Sequence, residues 1–230
     1  MKFIEDIRDR HKGEEIWVVG AGSSLDDYPI DFFDGKICIG VNYVFSVFLD
    51  IGDGIEKFNA RAFYSVHEHR VPADWIVKHI PDFLDHCFFL LPPARRPSDH
   101  HMIWWEDYND DPYYMRWGLK GKAAVSATDQ DFADVAKCIM EKGECHYVCR
   151  GTTLHWAVQA AVVLGAKKIY VVGEDGQGDH MYKHGSMYKQ MAKHKYKHPY
   201  WREATRCMAR VFKLYGVEIA HHHYSQGEQE

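Results

Sequence analysis

The chain has 230 residues, 46% of them hydrophobic, with a formal net charge of -5 and a pI near 6.3. This length is enough for one substantial hydrophobic core. The acidic balance argues against a protein whose main task is to coat nucleic acid, because such binding depends on a positive surface. No apolar stretch is long enough to span a bilayer, and the start MKFIEDIRDRHKGEE is too charged for a secretion signal, so we expect a cytoplasmic protein without a membrane span.

Short apolar runs alternate with helical stretches along the chain. The runs are rich in Val, Ile, Phe and Tyr and lack strict polar alternation, which is typical of strands covered on both faces. The predicted strands are Ile16–Gly20, Lys36–Val41, Ala62–Val66, Cys87–Leu91, His146–Cys149, Ile169–Gly173 and Val217–Ala220, and the predicted helices are Phe132–Lys142, Thr153–Leu164 and Tyr200–Tyr215. This alternation predicts an α/β fold: a Rossmann-like, doubly wound, mostly parallel sheet with helices on both faces.

The first strand ends in a glycine-serine turn, in the segment IWVVGAGSSL. Gly20 and Gly22 allow a sharp turn and a close approach of the backbone to a ligand. The amides of this turn, together with the hydroxyls of Ser23 and Ser24, would form a concave donor site suited to phosphate. An ordinary strand-to-helix connection is the alternative. The spacing is not GxGxxG, because Leu25 stands where the third glycine should be, so a dinucleotide fingerprint is not supported.

Residues 146 to 173 are predicted to form a strand-helix-strand unit. Gly151, Thr152 and Thr153 make its turn and helix start, and the returning strand ends at Glu174 and Asp175. Ligands of such sheets bind beyond the carboxyl ends of the strands. We therefore expect the turns near residues 20 and 151 to line one crevice, with Glu174 and Asp175 at its rim.

Two stretches depart from the α/β pattern. Residues 92–130 are rich in Trp, Tyr and Pro, and residues 176–199 mix histidines, tyrosines and lysines. We predict one domain over residues 1–230, in which these insertions form a lid or substrate wall. Either insertion could instead serve self-association into a homo-oligomer.

Three segments resemble a known superfamily, the MptE-like (DUF115) proteins and the related bacterial sialyltransferases of glycosyltransferase family 42. VVGAGSSLDDYP is similar to their GxGPSL nucleotide loop, with Ser23 in place of the proline. IGVNY, which contains Asn42, resembles their second-strand motif, whose asparagine holds the nucleotide. GTTLHWAVQAAVVLGAKKIYVVGEDG resembles their SG…A…LGxKxIYLxGxD segment. The resemblance implies a nucleotide-binding transferase of α/β fold.

The sialyltransferase branch implies glycosyl transfer from a nucleotide sugar, such as a CMP-linked donor, to a hydroxyl of a small-molecule or glycan acceptor. It places a histidine base at His198, with His194 as the alternative, and lid tyrosines at Tyr182 and Tyr188 that donate to the departing phosphate. The nucleotide would be held by the residues of the loops and strand ends: Gly20, Gly22, Ser23, Ser24, Asn42, Gly151, Thr152, Thr153 and Asp175.

Two other hypotheses stay open. The MptE branch implies a diphosphokinase that uses ATP and Mg²⁺ on a hydroxymethyl pterin, with metal ligands at Asp175 and Glu174 and further candidates at Asp179, Asp26 and Asp27. Under the glycosyltransferase hypothesis no metal is needed. The third hypothesis is a non-catalytic nucleotide-binding module that keeps the loops and has lost the chemistry.

Overall fold

The computed structural model describes the strands, helices and turns that build the core of the chain. The residues it describes are 2–3, 7–41, 44, 48, 58–66, 87–91, 114–116, 121–123, 127–144, 147–150, 152–175, 177–178, 196–197 and 200–224.

A parallel sheet is the centre of the fold. Its strands are β1 (Lys2–Phe3), β2 (Glu15–Val19), β3 (Ile37–Val41), β4 (Ala62–Val66), β5 (Cys87–Leu91), β6 (Tyr114–Arg116), β9 (Lys168–Val172) and β12 (Glu218–His221). In the described residues they form an eight-stranded sheet in the order β1-β6-β5-β4-β3-β2-β9-β12, and every neighbouring pair is parallel. The α/β class and the mostly parallel sheet are thus confirmed.

Short strands pair outside this sheet. Strand β7 (Gly121–Ala123) is parallel to β8 (Tyr147–Cys149), and β10 (Gln177–Gly178) is antiparallel to β11 (Tyr196–Lys197). The expectation that residues 146–173 form a strand-helix-strand unit in one sheet is therefore wrong for its first strand. Its helix and second strand are present, but β9 has β2 and β12 as its neighbours.

Three helices contribute buried faces to the core. They are α1 (Asp129–Glu141), α2 (Leu154–Val163) and α3 (Tyr200–Lys213). Helix α1 begins with a capping box in which Thr128 and Asp131 each satisfy the other's backbone amide, which is why it starts a turn before its apolar positions. Every residue of α2 is buried, and this helix packs across β2, β3, β4 and β9. Within the described ranges, none of the helices combines the length and the apolarity that crossing a bilayer requires.

The winding direction of the sheet reverses between β2 and β9. From β2 the chain proceeds to β3, β4 and β5 on one side, whereas β9 leads to β12 on the other. In open parallel sheets this reversal separates the loops that leave the two central strands and creates a crevice at their carboxyl ends. The loops after Val19 and after Val172 leave the sheet at this point of reversal.

The predicted insertions lie partly outside the described residues. From the first, residues 92–113 are not described, but the stretch predicted as irregular contains β6, which joins the main sheet, and β7. From the second, only the two short strands β10 and β11 are described.

Candidate functional site

The loops after β2 and β9 are locked together by their backbones. The amide of Gly20 donates to the carbonyl oxygen of Val172 at 2.8 Å, and the amide of Gly22 donates to that of Gly173 at 2.9 Å. A Cβ atom on Gly20 would lie 2.5 Å from the carbonyl oxygen of Gly173. Gly173 itself has a φ of +67°, a conformation that favours glycine.

Gly22 is required for the same reason as Gly20, namely contact with another part of the chain. Its φ is -69°, which any residue can adopt. A Cβ atom there would lie 2.5 Å from Oδ2 of Asp175 and 2.6 Å from the carbonyl oxygen of Gly173. The sequence predicts a close approach of these glycines to a ligand, whereas in the structure the segment next to them is the loop after β9.

Asp175 is the acceptor for the serines of the first loop. Its Oδ2 accepts from the amide of Ser24 at 2.8 Å and from the hydroxyl of Ser23 at 3.2 Å. Its Oδ1 accepts from the hydroxyl of Ser24 at 2.5 Å. The donors predicted to hold phosphate are therefore satisfied by a carboxylate of the protein. A carboxylate has about four lone-pair sites, so an acceptor position is left over on Asp175.

The bend before α2 lies next to this loop, as the sequence predicts. The Cδ1 atom of Leu154, the first residue of α2, would be 2.9 Å from a Cβ atom on Gly20. The hydroxyl of Thr152 accepts from the amide of Leu154 at 3.3 Å, while Thr153 is buried and has helical backbone angles. The start of α2, which follows the second predicted turn, thus lies beside the first predicted turn.

Glu174 lies in the interior, so the expectation that it stands at the rim is wrong. Only 5% of the residue is exposed. Its Oε1 accepts from the hydroxyl of Thr205 at 2.8 Å, and its Oε2 lies 2.5 Å from Nε2 of His221. Its carbonyl oxygen accepts from Nε of Arg202 at 2.8 Å. Because both carboxylate oxygens already have partners, the geometry disfavours Glu174 as a ligand of Mg²⁺.

His155 completes this buried polar group. Its Nε2 lies 3.7 Å from Oε1 of Glu174 and 3.3 Å from the carbonyl oxygen of Trp201, and its Nδ1 accepts from the amide of Arg150 at 3.0 Å. Burial lowers the pKa of His155 from 6.5 to about 4, although the nearby Glu174 carboxylate acts in the opposite direction. His155 is thus neutral near pH 7, with the proton on Nε2.

Several predicted site residues lie outside the described residues. These are Asn42, Gly151, Asp179, Tyr182, Tyr188, His194 and His198. Asp179, Tyr182, Tyr188 and His194 fall between two described strands that are paired, with Gln177 opposite Lys197 and Gly178 opposite Tyr196, and His198 follows the second of these strands. Among the described side chains, no group of three or more His, Cys, Asp or Glu residues is arranged to hold a metal ion.

The burial of Glu174 and its contacts with Thr205 and His221 were not recognised from the sequence. Their partners lie 31 and 47 positions apart along the chain, which no local pattern reveals. A usable signal is the acidic residue that directly follows a buried strand and a glycine, opposite a strand that ends in histidines.

The comparisons with known proteins concern the whole chain. No family model and no curated protein matches it. A similar solved structure is that of the sialyltransferase CST-II in complex with a trisaccharide acceptor and CMP, at 13% identity and a TM-score of 0.49, covering 90% of this chain and 80% of that one. Another is that of CstII from Campylobacter jejuni with a substrate analogue, cytidine-5′-monophosphate, at 14% identity and a TM-score of 0.47, covering 91% and 80%. Since identities and TM-scores are low, we infer function from the chain's own residues.

Proposed function

We propose that the chain is a nucleotide-dependent transferase that moves a glycosyl group from a nucleotide sugar to a hydroxyl acceptor. The observation that carries this proposal is the contact of Asp175 with Ser23 and Ser24, at the carboxyl ends of β2 and β9, where the winding direction of the sheet reverses. Polar groups from two loops converge there on a position where parallel α/β sheets bind nucleotides. Two of the three segments that resemble the MptE-like and family 42 proteins meet at this contact, which supports membership in that superfamily.

The charge of Asp175 suggests which part of the nucleotide each loop would hold. A carboxylate repels phosphate, but its remaining lone pair can accept a hydrogen bond from a hydroxyl. We therefore assign the nucleoside to the Gly20–Ser24 loop and Asp175. The phosphate then belongs nearer the start of α2, where helix amides favour an anion and where Thr152 and Thr153 lie.

The catalytic residues of this proposal are those that the resemblance implies. His198 would take the proton from the acceptor hydroxyl, and Tyr182 and Tyr188 would donate to the leaving phosphate, so that no metal is needed. Asn42 would bind the base or the ribose. A CMP-linked donor is the form of nucleotide sugar that the sialyltransferase branch uses.

The diphosphokinase hypothesis receives no support from the geometry. Transfer of diphosphate from ATP needs carboxylates that converge on Mg²⁺. Of the two proposed ligands, Glu174 is buried among Thr205 and His221, and Asp175 faces the serines. We keep this hypothesis only as one outcome of the following experiment.

Nucleotide binding can be measured by thermal unfolding and calorimetry with CMP, UDP, GDP and ATP, each with and without Mg²⁺. We expect CMP without metal to raise the melting temperature, because a ligand at one hundred times its Kd stabilises by about 2.7 kcal/mol. For a chain of this size that amounts to roughly 5 to 10 °C. The variant Asp31→Asn, at an exposed position that no hypothesis places in the site, is the control and should respond as the wild type does.

Two results would contradict the proposal. If no nucleotide shifts the melting temperature, the crevice does not bind one. If only ATP with Mg²⁺ does so, the diphosphokinase hypothesis replaces it.

A further inference from the structure

A histidine and a buried carboxylate form a close pair at the carboxyl edge of the sheet. His221 is the last residue of β12, and its Nε2 lies 2.5 Å from Oε2 of Glu174. The side chain of Glu174 is 1% exposed, whereas that of His221 is 23% exposed. The imidazole thus has one nitrogen on a buried carboxylate and part of its surface accessible to solvent.

Glu174 is fixed in this position from two other elements. The hydroxyl of Thr205, on α3, donates to Oε1, and the guanidinium of Arg202, also on α3, donates to the backbone carbonyl of Glu174. His155, at the start of α2, lies 3.7 Å from Oε1. A carboxylate held this way can fix the orientation of the imidazole that donates to it.

The hydrogen bond also determines the tautomer of His221. A carboxylate only accepts, so the proton of the neutral imidazole is on Nε2. The lone pair of Nδ1 then remains, and in the described part of the chain this atom has no hydrogen-bond partner. An imidazole with an oriented Nε2 and an available Nδ1 is the arrangement of a general base.

Two other described histidines at this edge lack that arrangement. His155 is fully buried, and its Nδ1 already accepts from the amide of Arg150. His222 lies among aromatic rings, with its ring centroid 4.9 Å from that of Trp17 and its Nδ1 2.9 Å from the hydroxyl of Tyr28. His223 is exposed and offers a matched control.

We propose that His221, in place of His198, is the general base of the transfer reaction and that Glu174 is its positioning residue. This inference rests on the proposed function. The His221–Glu174 pair is close to the proposed nucleotide site because Glu174 directly precedes Asp175. Strand β12 also lies beside β9, with its carboxyl end at the same edge of the sheet.

The step balances without a further reactant. Nδ1 of His221 takes the proton of the attacking hydroxyl, whose oxygen forms a bond to the anomeric carbon of the donor. The bond from that carbon to the phosphate oxygen breaks, and its electron pair leaves with the nucleoside phosphate. The same base serves when water replaces the acceptor, which gives donor hydrolysis.

The experiment measures release of CMP from CMP-sialic acid in water by wild type and by His221→Ala, His221→Gln, Glu174→Gln, His198→Ala and His223→Gln. We expect His221→Ala to lower kcat about 100-fold or more, the usual contribution of a general base. Its Kd for CMP should stay at the wild-type value, and added imidazole should restore part of kcat. Glu174→Gln should lower kcat without rescue by imidazole, and His223→Gln should behave as the wild type.

Rescue separates a base from a structural residue, because free imidazole supplies a base but does not repair a displaced loop. His221→Gln provides the same comparison if the alanine variant does not fold. If both His221 variants keep the wild-type kcat, the assignment of His221 as the base is wrong while the proposed function stands. The same conclusion follows if imidazole restores a lost kcat only in His198→Ala. A wild-type protein that binds CMP but releases none from the donor overturns the glycosyl transfer and the base together.

Discussion

At the scale of single residues, Asp175 decides how the candidate site can be used. Its carboxylate accepts from the hydroxyls of Ser23 and Ser24 and from the amide of Ser24, all of which an unoccupied glycine-serine loop would offer to phosphate. A bound phosphate must therefore either displace this carboxylate or lie elsewhere. The two possibilities predict opposite effects of removing its charge.

Replacement of Asp175 by asparagine distinguishes them. If Asp175 binds the nucleoside, Asp175→Asn should weaken the binding of cytidine and of CMP by a similar factor, about 10-fold or more. The reason is that hydrogen bonds to charged groups contribute about 1.5 to 3 kcal/mol. Calorimetry with both ligands measures the two dissociation constants, with Asp31→Asn, at an exposed position, as the control. Tighter CMP binding with unchanged cytidine binding would instead mean that Asp175 competes with phosphate.

At the scale of elements, the side-chain amide of a helix residue makes the hydrogen bonds to a strand that the backbone of a neighbouring strand would otherwise make. Gln159 of α2 is fully buried; its Oε1 accepts from the amide of Val148 at 2.9 Å, and its Nε2 donates to the carbonyl oxygen of Val148 at 2.6 Å. Val148 is in the middle of β8, which does not belong to the main sheet. The pairing holds β8 and the bend that follows it against α2.

The variant Gln159→Leu should therefore destabilise the protein. It keeps an apolar side chain of similar size but leaves the buried amide and carbonyl of Val148 without partners, and each costs about 1 to 3 kcal/mol. The free energy of unfolding in urea measures the loss. Gln130→Leu, at an exposed position of α1, should change it by less than about 0.5 kcal/mol. Equal effects of the two substitutions would contradict this role of Gln159.

The main elements could be predicted from the sequence because their signals are local. Buried runs such as Ile16–Val19 need no partner in sequence to be recognised as strands, and α2 is apolar throughout. The short strands β1, β6 and β10 have no such signal, since their pairing is set by distant segments. Likewise, the sequence indicated the loop at Ser23 and Ser24, but not that the carboxylate of Asp175 would bind it.

At the scale of the whole molecule, burial of His155 links stability to pH. The pKa of His155 in the folded protein is about 4, below the ordinary 6.5 that we expect in the unfolded chain. Between these values the unfolded chain takes up a proton that the folded protein does not. The contribution of His155 to the free energy of unfolding is therefore complete above about pH 6.5 and is lost as the pH falls toward 4. Burial also lowers the pKa of His11, which acts in the same direction.

Urea unfolding at neutral pH and at about pH 5 tests this linkage. We expect wild type to lose stability on acidification and His155→Gln to lose less, whatever its stability at neutral pH. His223→Gln should lose as much free energy of unfolding between the two pH values as wild type does, because His223 is exposed. If His155→Gln and wild type lose the same free energy of unfolding between the two pH values, other groups are responsible for the pH dependence.

The pairing of β10 with β11 has a consequence for how this chain can change in evolution. Gly178 and Tyr196 are cross-strand partners, so the chain leaves β10 and enters β11 at neighbouring positions. Insertions, deletions or substitutions between these two residues leave the distance from Gly178 to Tyr196 unchanged. Replacement of the intervening residues by a segment of another length should therefore change the entropy of closing this loop only slightly, about 0.6 kcal/mol for each doubling of its length.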